Sequence, residues 1–331
     1  MASPSADIRA LRLQSSHTAA GAARAAALCA PDYVLNGPHP LNQVTGSDAF
    51  ADALMGPILA AFPHAEERLD ILLSGQFAGG EWTASTGHIA GIFAQSLWGI
   101  PATGLPAFLR FGRFDRWVAG RMVETFLILD LPGLMMQSGV WPMARPLGAF
   151  LVPPGPATRD GVADNVGDPA AARRSLDLVE AMIAALMTYN GGADLSHMRM
   201  VDYWTRDFWW FGPAAIGSFC GHADYERGHQ RPFLTAFPDR KGGDHKCRIG
   251  ERAYVASTGW PSVRATHTGG GWLGMPPTDK RIGMRVMDFW RREGDLLAEN
   301  WVFIDIPDLL LQMGVDVFGR MAELGPAELR G

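Results

Sequence analysis

Apolar and polar positions along this chain change rhythm from helical to alternating. Residues 169–189, "PAAARRSLDLVEAMIAALMTY", place Leu176, Val179, Ile183 and Leu186 at i, i+3, i+7 spacing, which predicts a helix with one buried face. The alanine-rich run over roughly 5–29 predicts a similar helical opening to the chain. Further on, the period shortens to two. Residues of about 252–258, 261–268, 281–291 and 296–305 read as strands. In the last of them Leu297, Glu299, Trp301, Phe303 and Asp305 share one face, and Val302 and Ile304 the other. A short helix, "DLLLQMGV", closes the run. Helices first and an antiparallel sheet afterwards is the order of an α+β fold, not a doubly wound α/β fold.

The same text is written twice. "ETFLILDLPGLMMQSGV" at 124–140 returns as "ENWVFIDIPDLLLQMGV" at 299–315, an offset of 175 in a chain of 331 residues. "LAAFP" at 59–63 answers "LTAFP" at 234–238, and "GIPAT" at 99–103 answers "GMPPT" at 274–278. "GHIAG" at 87–91 resembles "THTGG" at 266–270, which pairs His88 with His267 at a locally shifted offset of 179. Between the copies, residues 141–169 are rich in proline, glycine and small polar residues. We therefore expect a first domain over 1–145, a connector over 146–168 and a second domain over 169–331, in line with the usual size of a domain.

Composition narrows the function. With 47% hydrophobic and 19% charged residues, the chain can bury a core. A net charge of −5 gives no electrostatic footprint for nucleic acid. Cys29, Cys220 and Cys247 form no metal-binding spacing and no even disulfide set. No leader and no membrane-length apolar run is read, so a cytoplasmic protein without a membrane partner is expected. Dinucleotide fingerprint, nucleophile elbow and P-loop are all missing, which leaves cofactor-free acid/base chemistry or binding.

The motif residues resemble the SnoaL-like polyketide cyclases of the nuclear transport factor 2-like superfamily. They are Thr266-His267, Gly270, Gly274-Met275-Pro276-Pro277-Thr278, Arg291, Gly294, Glu299, Trp301, Asp305, Leu309-Leu310, Gln312 and Gly314. The likeness covers most of 195–320 and, more weakly, about 30–142. Asp279 and Arg281 interrupt the family's usual Thr-Gly-Lys, and Phe126 stands where the second copy has Trp301. The resemblance implies two tandem cone-shaped domains, each a curved antiparallel sheet wrapped around N-terminal helices. It implies pairing of the domains within the chain, as in a fused homodimer, and leaves further homo-oligomerisation open. It also implies a small apolar carbonyl compound as ligand, undergoing an aldol-type cyclisation or isomerisation without cofactor or metal. Epoxide or ester hydrolysis and non-catalytic binding or scaffolding are the alternatives, because one fold hosts many activities.

Candidate residues follow from this likeness and from their chemistry. Asp305 matches the cyclases' acid/base aspartate. On a concave face with Trp301 and Phe303 it would have a raised pKa and could move a proton alpha to a carbonyl. Asp130, with Phe126 on its face, could do the same. Each aspartate also lies two residues before a proline at the start of a short helix, the place of an N-cap. Arg291 and Arg116 could steady an enolate, or be arginines leaving a hairpin. His267 and His88 could supply a second acid/base or a substrate hydrogen bond, or be satisfied by a neighbouring carbonyl. Glu124 and Glu299, at the far end of the strands, read as rim or ion-pair residues. The aromatic stretch "YWTRDFWWFG" at 203–212 reads as a ligand wall or as helix core, and seven of the 11 tryptophans, Trp272 among them, follow residue 170. The second domain is therefore expected to hold the ring-binding pocket.

Overall fold

The computed structural model describes residues 4–163 and 167–324, so the outermost residues of the predicted domains and 164–166 of the predicted connector lie outside the described residues. Two compact units emerge. The first takes the described residues of Met1–Pro142, Pro154–Val166 and Asp316–Gly331; the second takes those of Met143–Pro153 and Gly167–Val315. The predicted connector thus divides between them, and the end of the predicted second domain groups with the first unit. Among the described residues no helix is long and apolar enough to cross a membrane.

The first unit opens with α1 (Pro4–Gln14) and α2 (Ala19–Leu28). The Thr18 hydroxyl caps α2 by accepting a bond from the Gly21 amide at 3.1 Å. Strands β1 (Cys29–Asn36) and β2 (Gln43–Thr45) follow, then a π-helical turn over Ala49–Met55 and α3 (Gly56–Ala61). Four long strands come next, β3 (Glu66–Phe77), β4 (Gly80–Ile92), β5 (Pro106–Val118) and β6 (Arg121–Leu129), and then α4 (Leu131–Gln137). The sheet order is β2-β1-β6-β5-β4-β3.

The second unit has α5 (Pro169–Leu186), β7 (Trp204–Phe211), β8 (Ser218–Cys220) and α6 (Gly221–Tyr225), with a π-helical turn over Glu226–Gln230 leading into α7 (Arg231–Ala236). Its remaining strands are β9 (Lys241–Gly242), β10 (His245–Glu251), β11 (Tyr254–Thr266), β12 (Arg281–Glu293) and β13 (Leu296–Ile304), followed by α8 (Ile306–Gln312). They order as β10-β11-β12-β13-β7-β8, with β9 on β11. The last helix, α9 (Val317–Leu324), groups with the first unit, where Phe318 meets His39 edge-on at 5.5 Å.

The α+β class and the two separate sheets agree with the sequence reading. Several details differ. Each sheet is mixed, not wholly antiparallel: β1 runs parallel to β6 and β7 parallel to β13. Long connections separate the members of each pair, so no tight hairpin forces them antiparallel. The aromatic stretch at 203–212 forms β7, not a helix. The two strands expected over 252–268 are one, β11, whose register shifts between Gly259 and Val263. On α5 the deepest residues are Ser175, Val179 and Met182. Ile183 and Leu186 are half-buried and border a cavity together with Met182, and Leu186 also packs against Leu195, Met198 and Leu234.

Pairing registers keep the offset seen in the sequence. Val34 faces Glu124 across β1 and β6, and Trp209 faces Glu299 across β7 and β13. Phe114 faces Phe126, and Phe289 faces Trp301. The twice-written glutamine has a physical reason. Gln137 accepts from the Phe108 amide at 2.9 Å and donates to its carbonyl at 2.8 Å. Gln312 accepts from the Gly283 amide at 2.8 Å and donates to its carbonyl at 2.9 Å. In each unit the short terminal helix is thereby clasped to a strand backbone. The histidine pairing does not hold: His88 sits within β4 opposite Arg110, whereas His267 lies just past the end of β11.

Candidate functional site

Strand alternation decides which side chains meet the ligand space. In the second unit a cavity of about 400 Å³ lies against one face of the sheet, beneath α5, α6, the π-helical turn and α7. From β12 it receives Met284, Val286, Asp288 and Trp290; from β13 it receives Asn300, Val302 and Ile304. These are every second residue, so Trp301, Phe303 and Asp305 belong to the opposite face. The cavity lies on the face opposite to the one expected to hold the ligand. Both faces of β13 are buried, so its apolar pattern does not distinguish them.

Asp288 is the carboxylate on the cavity wall. Asn300 Nδ2 donates to its Oδ1 at 3.3 Å and to the Phe289 carbonyl at 3.1 Å. Burial pushes the Asp288 carboxyl up to about 7, against the opposing pull of the Asn300 bond and the Arg248 charge. Tyr225, on the facing side, is pushed well above the ordinary phenol value by burial first and by Asp288 second, so it keeps its proton. His229 and Gln230 come from the π-helical turn, a widened turn that re-aims side chains. The His229 ring stacks on Trp210 at 4.1 Å, and burial lowers it to about 3, which leaves it neutral. His229 Nδ1, Gln230 Nε2 and Trp290 Nε1 are buried without a hydrogen-bond partner. Three unsatisfied polar groups around one cavity are costly unless a ligand or water meets them.

None of the ten residues proposed from the sequence lines this cavity. Asp305 caps α8, accepting from the Asp308 amide at 3.4 Å, and pairs with Arg285 at 2.9 Å. Asp130 caps α4, accepting from the Gly133 amide at 3.2 Å. Arg291 pairs with Glu299 and Glu293, and Arg116 with Glu124 at 3.3 Å, so both arginines brace a hairpin end and neither meets an aspartate of the caps. His267 Nδ1 lies 3.0 Å from the Thr278 hydroxyl. His88 lies 3.3 Å from an Asp70 oxygen. Trp301 stacks on Phe211 at 5.5 Å, Phe303 meets Phe289 edge-on at 6.2 Å and Phe126 stacks on Trp82 at 6.3 Å. Trp272 stands edge-on to Phe237 at 5.1 Å, next to the cavity-lining Phe233. Among the described residues, no group of three or more His, Cys, Asp or Glu is placed to hold a metal ion.

The first unit treats the equivalent space differently. Register places Arg113 where the second unit has Asp288, Asp115 where it has Trp290, and Thr125 where it has Asn300. Arg113 Nε donates to Asp115 at 2.8 Å and its Nη1 to the Ser15 carbonyl at 2.8 Å. Thr125 donates to Asp115 at 2.6 Å, and Arg12 donates to Glu67 at 2.9 Å. Arg12, Arg113 and Asp115 expose no side-chain surface. An ion-pair network is thus buried inside the first unit. A sequence signal for Asp288 did exist: it is a single carboxylate inside the apolar strand "RVMDFW", at a position where the other copy has the opposite charge.

Residues 194–313 match the family model described as SnoaL-like polyketide cyclase. No curated protein matches the chain. Among solved structures, AclR of Streptomyces galilaeus, assigned as a hydroxylase, is 26% identical over 43% of this chain and 97% of its own, with a TM-score of 0.35. IdmH of Streptomyces antibioticus, assigned as a polyketide cyclase, is 20% identical over 41% of this chain and 99% of its own, with a TM-score of 0.34. A protein of Pseudomonas putida with the same assignment is 20% identical over 41% of this chain and 98% of its own, with a TM-score of 0.34.

Proposed function

We propose that the segment matching the SnoaL-like polyketide cyclases forms a cofactor-independent acid/base enzyme of the cyclase or isomerase type, with Asp288 as its proton carrier. The observation that carries this reading is a carboxyl held near neutrality on the wall of an apolar cavity. Ionised Asp288 removes a proton from the carbon alpha to a carbonyl. The enolate oxygen takes hydrogen bonds from the Tyr225 hydroxyl, the Trp290 indole N–H and the Gln230 amide. The carbanion then attacks a second carbonyl of the same molecule, and Asp288 returns its proton to the new alkoxide. In an isomerisation the proton goes back to another carbon instead, and in both cases no atom is gained or lost. The first unit is the partner of a tandem duplication whose interior has become structural. Hydrolysis by a carboxylate pair receives less support, because Asp288 is the one carboxylate among the described cavity-lining residues.

The deciding experiment is turnover of an enolisable diketone by Asp288→Asn. The variant keeps the shape and loses the proton transfer, so kcat should fall by roughly 10²–10⁴-fold. Full activity in that variant would remove Asp288 from the reaction.

A further inference from the structure

The cavity of the second unit is electrostatically lopsided. Asp288 supplies its one carboxylate among the described lining residues, whereas Arg240, Lys241 and Arg248 bring three cationic side chains to it. The chain as a whole carries a net charge of −5, so this cluster runs against the protein's own balance. Arg240 donates to the Leu186 carbonyl and lies 5.1 Å from the centre of the Tyr189 ring, and among the described residues no carboxylate pairs with it. Among the described residues Arg248 pairs with one carboxylate, Glu180 at 3.6 Å, and its Nε is buried without a partner. Lys241 is exposed and stands at the rim. A half-buried guanidinium with no described carboxylate beside it, as at Arg240, or with one only at the long distance of 3.6 Å, as at Arg248, has lost water and gained little in return. Both match a planar carboxylate, which two N–H donors can grip side by side.

We propose that the ligand of this cavity is an organic acid, whose carboxylate is held by Arg240 and Arg248 while its flat apolar body lies against Trp210 and His229. The proposal rests on the acid/base reading of the same cavity and names the chemical class of its substrate: a keto acid, not a neutral ester. The apolar body is argued from the stacked Trp210 and His229 rings and from Val286, Val302 and Ile304, which line the same cavity from the sheet that carries Trp210. The anion would sit against the guanidinium groups, where its charge is met, and proton transfer would stay with Asp288.

The test uses the full chain and two probes of nearly equal shape, 2-naphthoate and its methyl ester, titrated by calorimetry at pH 7. Naphthoate should bind about ten-fold more tightly or better, the scale of one charge-assisted hydrogen bond. Arg240→Gln and Arg248→Gln should each reduce that advantage by several-fold while ester binding stays within two-fold, which also reports that the variants are folded. Equal or tighter binding of the ester would overturn the proposal and leave the acid/base reading of the cavity intact. An acid preference that survives in both variants would overturn the arginine assignment. If neither probe binds, the planar-acid inference fails, while the effect of Asp288→Asn on diketone turnover still judges the acid/base reading separately.

Discussion

Asp288 and His229 are held in opposite protonation states by the same cause, removal from water. In the unfolded chain the Asp288 carboxyl ionises near its ordinary 3.8, and in the folded protein near about 7. Its contribution to stability is therefore full below about 4 and is lost as pH rises through 7. His229 falls from an ordinary 6.5 to about 3, so its contribution is present above 6.5 and is lost as pH falls toward 3. Asp288→Asn removes the first slope. At pH 8 the variant should melt higher than the parent, with a ceiling of roughly 4 kcal/mol at about 1.4 kcal/mol per pKa unit, and the difference should vanish near pH 4. Thermal melts across pH 4–8 read this directly. A variant that loses both stability and activity at pH 8 would contradict the raised carboxyl.

At the scale of elements, the short helix after each last strand is held by three devices that occur in both units: a capping aspartate, a glutamine clasp and a glycine with positive φ, Gly139 and Gly314. Asp305 serves this assembly. Asn at 305 can still cap, since Asn and Asp rank together there, but among the described residues it leaves Asp308, at 3.4 Å, as the one carboxylate paired with Arg285. Asp305→Asn should therefore lower stability by about 1–3 kcal/mol, the range for a lost charged hydrogen bond, and leave kcat within a few-fold. Chemical denaturation and turnover measured together separate this from a catalytic aspartate, which would show the reverse. The alternation of β13 was plain in the sequence, and so was the cap. The open side of the sheet was not, because both faces of β13 are apolar and buried, so burial alone cannot tell a cavity wall from a packed face.

Across the whole molecule, the two units share one scaffold and differ in what occupies it. Where the second has Asp288 the first has Arg113, which joins Arg12, Glu67 and Asp115 in a buried network. Removing one partner from a fully buried ion-pair network strands the rest, at a cost of about 3–5 kcal/mol. Asp115→Asn should thus lower the calorimetric melting of the first unit while 2-naphthoate affinity stays within two-fold. A comparable loss of ligand binding would show that the network supports the cavity after all.

The sequence by itself determined the α+β class, the doubled text and the residues that recur at the 175 offset. Those residues recur because every copy of the scaffold needs its caps, clasps and hairpin ion pairs: Asp130 and Asp305, Gln137 and Gln312, and Arg116–Glu124 and Arg291–Glu299. Matching residues between halves therefore mark the scaffold, whereas the cavity wall carries Asp288, Trp290 and Asn300 where the first unit has Arg113, Asp115 and Thr125. The tertiary structure alone decided where Asp288, Tyr225, His229 and Gln230 stand. They lie on separate elements, and their neighbourhood depends on which face of a strand is left uncovered and on how a π-helical turn is aimed. The desolvation that moves their protons is a property of the packed surroundings, and no local pattern of residues encodes it.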